Sequence, residues 1–179
     1  MKSVASNPAR GGVRPDPGTP KLYFMCGKMA AGKSTYARHL ARDQNAVLLV
    51  QDDFVAALFP GEIQDIPSFV KYSGRLRNAL SDHICDLLSR GLSVVLDFPG
   101  NTRNQRQWFR EIFERANVRH ELHYIDASDD LCKRQLRQRS EALPSGSRWT
   151  TDAEFDAITA YFQAPADDER FNVVRRERA

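Results

Sequence analysis

The sequence predicts an α/β fold in which helices cover both faces of a parallel β-sheet. Three observations support this prediction. Short, almost wholly apolar segments alternate along the chain with longer segments of helical periodicity, which is the pattern of buried strands joined by crossover helices. The first apolar segment leads directly into a glycine-bracketed loop that precedes a helical segment. Hydrophobic residues make up 41% of the 179 residues, which is enough for one domain with a buried core.

We expect residues 21–179 to form that domain and residues 1–20 to be a disordered tail. The tail is rich in Pro, Gly, Ser and charged residues and lacks the apolar region of a secretory signal. The net charge of +3 is too small to indicate nucleic-acid binding by itself. Three scattered cysteines form no metal or disulfide pattern, so a reducing, cytoplasmic setting is expected. No apolar run approaches the roughly 18 residues of a membrane span.

The first half of the chain is predicted to contain two buried strands and three helices. The first strand is apolar and ends at a glycine. The second helix is stopped by a Pro-Gly pair, and the third carries leucines at spacings of three and four before Gly91. The predicted strands are Lys21–Cys26 and Ala46–Gln51, and the predicted helices are Lys33–Asp43, Phe54–Phe59 and Ser68–Arg90.

The second half is predicted to add three strands and three helices. Thr102 and Ser128 are suited to cap the first two of these helices, and Asp129 and Asp130 suit the positive end of the second. The segment PSGS at 144–147 is a flexible break. The predicted strands are Leu92–Phe98, Arg119–Ala127 and Phe171–Arg175, and the predicted helices are Arg103–Ala116, one that starts at Asp129, and Thr151–Phe162.

The loop after the first strand matches the phosphate-binding pattern G-x-x-x-x-G-K-[ST]. Its two glycines allow backbone angles that a β-carbon would forbid, so that successive N–H groups can point at phosphate oxygens. We expect Lys33 to reach the β- and γ-phosphates of ATP and Ser34 to bind Mg²⁺. A chance match is the alternative, but the flanking strand and helix are both predicted. The predicted nucleotide-binding residues are Gly27, Lys28, Met29, Ala30, Ala31, Gly32, Lys33, Ser34 and Thr35.

Carboxylates are expected at the ends of the second and third strands, where ligands gather in open α/β sheets. Phosphoryl transfer needs one carboxylate to accept the proton of the attacking hydroxyl and another to orient Mg²⁺. We assign Asp52 to the first role, and Asp97 joins Ser34 as a metal-binding residue. The alternative for Asp52 and Asp53 is helix capping. No glutamate follows Asp97 and no NKxD stretch is present, which favours transfer to a bound acceptor over hydrolysis.

A basic segment, CKRQLRQRS, lies just before the flexible break. Arginines on a mobile lid would stabilise the charge of a phosphoryl group in transfer and exclude water. At helical spacing the basic side chains cannot all point at one ligand. We therefore expect Arg139 and Arg134 to act in catalysis with Lys33 and Asp52, and the other cations to face solvent. The alternative is a solvated helix face.

Five segments together carry a resemblance to a known family: GKMAAGKST, QDDF, LSVVLDFPGNT, CKRQLRQR and FNVV. The chain resembles the small P-loop kinase-like proteins often labelled AAA-family ATP-binding proteins. Their relatives include zeta toxin, chloramphenicol phosphotransferase and the kinase domain of polynucleotide kinase. The resemblance implies a three-layer P-loop NTPase fold, a five-stranded parallel sheet in the order 2-3-1-4-5, and a short helical lid at about 134–150. It also implies an ATP-dependent phosphotransferase, with Asp52 as the catalytic aspartate and Arg139 as the lid arginine.

One departure from the family affects the acceptor. Polynucleotide kinases carry an arginine three residues after the catalytic aspartate, where this chain has Val55 followed by Ala56, Ala57 and Leu58. Nucleic acid is therefore not the expected partner. We expect an ATP- and Mg²⁺-dependent kinase that phosphorylates a hydroxyl of a small molecule, such as a nucleotide sugar, an antibiotic or a metabolite. The alternatives are a polynucleotide or nucleoside kinase, and a non-kinase ATP-binding or ATPase module that acts through a partner.

Overall fold

A sheet of five parallel strands forms the centre of the protein. The computed structural model describes residues 19–141 and 151–178. In chain order the strands are Lys21–Cys26 (β1), Val47–Val50 (β2), Val94–Pro99 (β3), Arg119–Ala127 (β4) and Val173–Arg178 (β5). They lie side by side in the order β2-β3-β1-β4-β5, and every neighbouring pair is parallel. The predicted fold class and strand order are therefore confirmed.

The described residues also contain six α-helices and one short 3₁₀ helix. The α-helices are Lys33–Asp43 (α1), Gln51–Leu58 (α2), Ile66–Ser89 (α3), Arg103–Ala116 (α4), Asp129–Glu141 (α5) and Asp152–Thr159 (α6), and the 3₁₀ helix is Asp167–Glu169. None of the helices in these residues is long and apolar enough to cross a membrane. Most of the predicted tail, residues 1–18, lies outside the described residues.

Local capping explains where several helices begin. Thr102 accepts a hydrogen bond from the Gln105 N–H at the start of α4, as predicted from the sequence. The Leu131 N–H donates to the Ser128 hydroxyl at the start of α5, which places the predicted cap there as well. The helix α3 begins two residues earlier than predicted, because Asp65 and Ser68 form a capping box ahead of it.

The alternation of side chains along β1 builds two cores, one on each face of the sheet. Leu22, Phe24 and Cys26 belong to the larger core, which includes residues of α3 and α4. Tyr23 and Met25 belong to the smaller core, which includes residues of α1. Successive strand residues point to opposite faces, so β1 is buried on both sides. The fold therefore has three layers, with the loop after β1 at its centre.

The segment between α6 and β5 runs along α4. The Gln163 N–H donates to the Asn101 carbonyl near the start of that helix, at 2.9 Å. Arg106 of α4, which has no exposed surface, holds Glu169 through two hydrogen bonds of 2.7 Å. These contacts fix the path by which the chain returns to the sheet as β5, which lies beside β4 and ends at Arg178.

Candidate functional site

The loop between β1 and α1 has the backbone geometry that the sequence predicts. Gly27 has a φ of +148° and Gly32 a φ of +97°. A β-carbon on Gly27 would lie 2.6 Å from the Ile125 carbonyl oxygen, so only glycine fits there. The Ala31 N–H donates to the Lys28 carbonyl at 3.2 Å, which closes a turn within the loop. The result is a compact ring of backbone at the N-terminus of a helix, the arrangement that suits an anion.

Lys33 points back into this ring. Its ammonium group donates hydrogen bonds of 2.7 Å to the carbonyl oxygens of Gly27 and Lys28. Burial lowers the pKa of Lys33, while the charges of Asp97 and, more weakly, Asp52 act in the opposite direction. Among the described residues, no carboxylate forms an ion pair with this ammonium group. A half-buried cation held only by neutral carbonyls favours the binding of an anion such as phosphate.

Three contacts from distant parts of the chain hold the ring in place. The Gly27 N–H donates to Asn101 Oδ1 at 3.1 Å, just after β3. Lys28 forms a 2.5 Å ion pair with Asp129 at the start of α5, so its side chain is already engaged. Arg178, at the end of β5, donates to the Ala31 carbonyl at 2.7 Å. Sequence reasoning missed these partners because they lie far away along the chain, although Asn101 follows a predicted strand.

The remaining predicted loop residues differ in their surroundings. Met29 is half-buried and packs on the cluster of Ala31 and Ile125, beside β4. Ala30 adopts a left-handed conformation, with a φ of +57°. Ser34 is half-buried in the first turn of α1, and Thr35 is exposed.

The aspartates and Lys33 form one electrostatic cluster beside the ring. In the parallel pair β2–β3, Val50 is the register partner of Asp97, and Asp52 follows two residues after Val50. Asp52 is exposed. Its pKa is raised by partial desolvation and by the negative charges of Asp97 and Asp53, and the positive charge of Lys33 acts in the opposite direction. Asp52, Asp97 and Lys33 are therefore close enough to influence one another's ionisation.

The capping alternative for Asp52 and Asp53 is wrong. Because α2 begins at Gln51, three residues earlier than predicted, its N-cap residue is Val50, and no side chain caps the helix. Both aspartates instead lie in the first turn, where a carboxylate is favoured by the helix dipole.

The chemistry of Ser34 and Asp97 suits magnesium. Mg²⁺ requires an octahedron of oxygen ligands, retains several waters and binds through one or two protein groups together with substrate phosphates. Within the described residues, no cluster of three or more His, Cys, Asp or Glu side chains could hold a metal ion. The Ser34 hydroxyl and the Asp97 carboxylate fit a magnesium ion that phosphate oxygens would help to bind at the predicted phosphate-binding ring, Gly27 to Ser34.

An open cavity of about 370 Å³ lies beside Asp52. It is open to solvent, and its lining comes from α2, the loop that follows α2, and Phe69 in the first turn of α3. Asp52 is one of its lining residues. This carboxylate therefore belongs both to the charged cluster at the ring and to the wall of a cavity that could admit a second molecule.

The predicted lid residues are only partly described. Arg134 and Arg139 are both exposed on α5, and residues 142–150 of the predicted lid lie outside the described residues. Two other cations of α5 pair with α6: Lys133 with Asp156 at 2.7 Å, and Arg137 with Asp152. The catalytic role of Arg134 and Arg139 stays a prediction.

Comparisons with solved structures agree with this architecture. One similar structure is that of a provisionally assigned kinase from Chloroflexus aurantiacus J-10-fl. It is 18% identical, with a TM-score of 0.70 over 89% of both chains. The APS kinase of Mycobacterium tuberculosis, solved with AMPPNP and APS, is 17% identical, with a TM-score of 0.61 over 89% of this chain and 88% of its own. Kti12 of Chaetomium thermophilum, solved with ADP-AlF3, is 14% identical, with a TM-score of 0.64 over 87% of this chain and 88% of its own.

Sequence comparison gives the family. No curated protein matches the chain significantly. A family model described as an AAA domain, however, matches residues 22–165, which include the phosphate-binding ring, Asp52, Asp97 and α5. The chain therefore belongs to this AAA-domain family, and its fold is that of small P-loop kinases.

Proposed function

We propose that the protein is an ATP- and Mg²⁺-dependent kinase that transfers the γ-phosphate to a hydroxyl group of a small molecule. The acceptor classes that we consider are nucleotide sugars, antibiotics and other metabolites. One observation carries the proposal: Asp52 is coupled by charge to Lys33 and Asp97 and also lines the neighbouring cavity. In this proposal, the Asp52 carboxylate would lie between a bound triphosphate and the acceptor.

The phosphate-binding ring and α1 would hold the nucleotide. The free N–H groups at the start of α1 and the positive end of its dipole favour the phosphates. Lys33 would exchange its hydrogen bonds to the loop carbonyls for bonds to the β- and γ-phosphates, which restores the missing counter-charge. Ser34 and Asp97 would hold the magnesium ion, which would supply positive charge to the phosphate oxygens.

The chemical step would use Asp52 as the general base. The acceptor oxygen attacks the γ-phosphorus, its proton passes to the Asp52 carboxylate, and the bond from the γ-phosphorus to the bridging oxygen breaks to leave ADP. Lys33 stabilises the charge that develops during transfer. Arg139 and Arg134 of α5 would add positive charge around the phosphoryl group in transfer.

Two other functions make different predictions. A polynucleotide or nucleoside kinase would phosphorylate nucleic-acid ends or nucleosides best. A nucleotide-binding module would hydrolyse ATP slowly without any acceptor and act through a partner protein. The AAA-domain family match is compatible with all three functions, so the acceptor has to be found by experiment.

The test is a transfer assay with γ-labelled ATP, Mg²⁺ and a panel of hydroxyl compounds, DNA ends and RNA ends. We expect label to appear in a small hydroxyl compound. The Asp52→Asn variant should reduce transfer by roughly 10²- to 10⁴-fold and leave ATP affinity nearly unchanged, and Asp53→Asn is its matched control. Label found only in inorganic phosphate would favour the module, and label found mainly on nucleic-acid ends would favour the polynucleotide kinase.

A further inference from the structure

The cavity beside Asp52 has an unusual composition for a site next to phosphates. Its lining contains one ionisable side chain, which is negatively charged, and otherwise apolar side chains and a glycine. The lining residues are Asp52, Val55, Ala56, Phe59, Pro60, Gly61, Ile63 and Phe69. A volume of about 370 Å³ is within the range of small-molecule sites.

Three exposed apolar side chains lie close to lining residues in the sequence. Leu58 is 56% exposed and precedes the lining residue Phe59, and Val70 is 59% exposed and follows the lining residue Phe69. Ile66, one turn before Val70 on α3, is 64% exposed.

The nearby cations of α3 are not among the lining residues of the cavity. Lys71 and Arg75 lie over the ring of Tyr72, at 5.5 Å and 5.6 Å from its centroid. Arg77 lies 5.9 Å from the centroid of the Trp108 ring. None of these cations lines the cavity.

An anionic acceptor would therefore meet an unfavourable field in this cavity. Its charge would lie near Asp52 and the neighbouring charges of Asp53 and Asp97. The nearest cation of the cluster, Lys33, would be engaged by the nucleotide phosphates. Repulsion between these like charges is unfavourable, whereas an apolar body gains free energy on leaving water.

We infer that the acceptor is an uncharged hydroxyl compound with an apolar body, which fills the cavity and presents its hydroxyl to Asp52. This inference rests on the proposed kinase function, because it assigns the cavity to the acceptor. Of the classes proposed above, it excludes nucleotide sugars and retains uncharged antibiotics and metabolites with an apolar body. It also argues against sugar phosphates and nucleic-acid ends as acceptors.

A matched pair of probes tests the inference by binding alone. Naphthalene-1-methanol carries an uncharged hydroxyl on an apolar body, and 1-naphthyl phosphate carries a dianion on the same body. Each is titrated into the full chain saturated with Mg²⁺ and AMPPNP, and methyl NMR follows Val55 and Ile63. We expect the alcohol to shift both methyl resonances and to bind at least ten times more tightly than the phosphate. Equal or tighter binding of the phosphate, or no shift from the alcohol up to its solubility limit, would overturn the inference.

Two neighbouring alanines provide a charge-reversal test. Ala56 and Ala57 are both exposed on α2, but only Ala56 lines the cavity. Ala56→Arg should therefore improve binding of 1-naphthyl phosphate at least tenfold and weaken binding of the alcohol, while Ala57→Arg should change neither. Equal effects of the two variants would contradict a local role of the cavity.

Nucleotide binding is measured separately, so that the kinase proposal and the inference about the acceptor can fail independently. Calorimetry with Mg²⁺ and AMPPNP reports on the phosphate-binding ring. If AMPPNP does not bind, the kinase proposal fails, whatever the probes do in the cavity. If AMPPNP binds but the phosphate probe is preferred, the kinase proposal stands and the inference about the acceptor fails.

Discussion

Arg178, at the end of β5, donates a 2.7 Å hydrogen bond to the carbonyl oxygen of Ala31 in the phosphate-binding ring. A trans peptide directs its C=O and N–H in opposite directions, so this bond also fixes the direction of the Gly32 N–H. Gln135 of α5, with its amide oriented to satisfy both neighbours, donates to the Ala30 carbonyl at 2.8 Å and accepts from Arg178 at 3.2 Å. The last strand and α5 thus hold the ring in shape before any phosphate binds.

The first prediction is that Arg178→Ala weakens nucleotide binding. Loss of the charged donor frees the peptide between Ala31 and Gly32, and we expect the Kd for AMPPNP to rise about tenfold, equivalent to about 1.4 kcal/mol. Calorimetry measures this effect. Arg176→Ala is the matched control, because Arg176 lies on the same strand but over the Tyr36 ring, 5.4 Å from its centroid. An equal loss in both variants would indicate a general effect of charge instead of positioning.

The second prediction concerns the glycine that begins the ring. Gly27→Ala would place a β-carbon 2.6 Å from the Ile125 carbonyl at a φ of +148°, and we expect it to lower the free energy of unfolding by at least about 2 kcal/mol. Gly74→Ala in α3 is the control, because a β-carbon there meets no atom within 4 Å. That variant should be as stable as the parent or more stable by up to about 1 kcal/mol. Urea unfolding compares the three proteins, and a stable Gly27→Ala protein would contradict the steric argument.

The fold was predictable because the signals that define it are local. An apolar strand, a glycine loop and an amphipathic helix each appear within a few residues, and the bounds of β1, α1, α4 and β4 agree with the sequence prediction. The last strand was less predictable. It begins at Val173, two residues later than expected, and continues to Arg178. Four of its six residues, Arg175 to Arg178, are charged, so the sequence lacks the apolar pattern of a strand, and the strand is formed by pairing with β4.

The supports of the site were not predictable, because they depend on contacts between distant residues. Sequence reasoning selected Lys33, Ser34, Asp52 and Asp97 as candidates from the motif and the strand ends, and their roles stay predictions. It could not find Arg178, which is separated from Ala31 by 147 positions. Nor could it show that Lys133 and Arg137 pair with α6, because that requires knowledge of how the two helices pack.

The third prediction is that Glu169→Gln destabilises the protein. The Arg106 side chain is fully buried and that of Glu169 is 8% exposed, and the pair is bidentate. Loss of one partner leaves a buried guanidinium group without its counter-charge, which costs about 3 kcal/mol. Asp168→Asn is the control, because the neighbouring pair of Arg103 and Asp168 is largely exposed and should contribute little. Equal destabilisation in both variants would show that burial does not distinguish the two pairs.

The same ion pair predicts a dependence of stability on pH. Burial opposes ionisation of Glu169, but the hydrogen bonds from Arg106 and the Ala166 N–H outweigh it and lower the pKa of the carboxyl group. A carboxyl group whose pKa is lower in the folded state than in the unfolded state stabilises the fold at pH values above its unfolded-state pKa. This stabilisation is lost as the pH falls through the folded-state pKa. Thermal unfolding of the parent and of Glu169→Gln should therefore converge towards acidic pH. A constant difference from pH 7 down to the acid transition would contradict this linkage.

The fourth prediction uses the opposite shift at Asp52. Desolvation and the charges of Asp97 and Asp53 raise its pKa above the ordinary 3.8, so the folded protein retains this proton more tightly than the unfolded chain does. Stability should fall as the pH rises from 3.8 through the raised pKa. We therefore expect Asp52→Asn to melt at a higher temperature than the parent at pH 7, and to match it below pH 3.8 wherever both remain folded.

Activity should show the complementary behaviour, because a general base acts only when ionised. The acidic limb of kcat/KM for the parent should lie above the ordinary aspartate pKa of 3.8. Asp53→Asn removes a negative neighbour, so it should move that limb towards lower pH while transfer itself persists. Melting curves and rates collected over one series of buffers test both effects together. Two results would contradict the proposal that Asp52 is a general base with a raised pKa. One is an Asp52→Asn protein that is less stable than the parent at pH 7, and the other is an acidic limb of kcat/KM that does not move in Asp53→Asn.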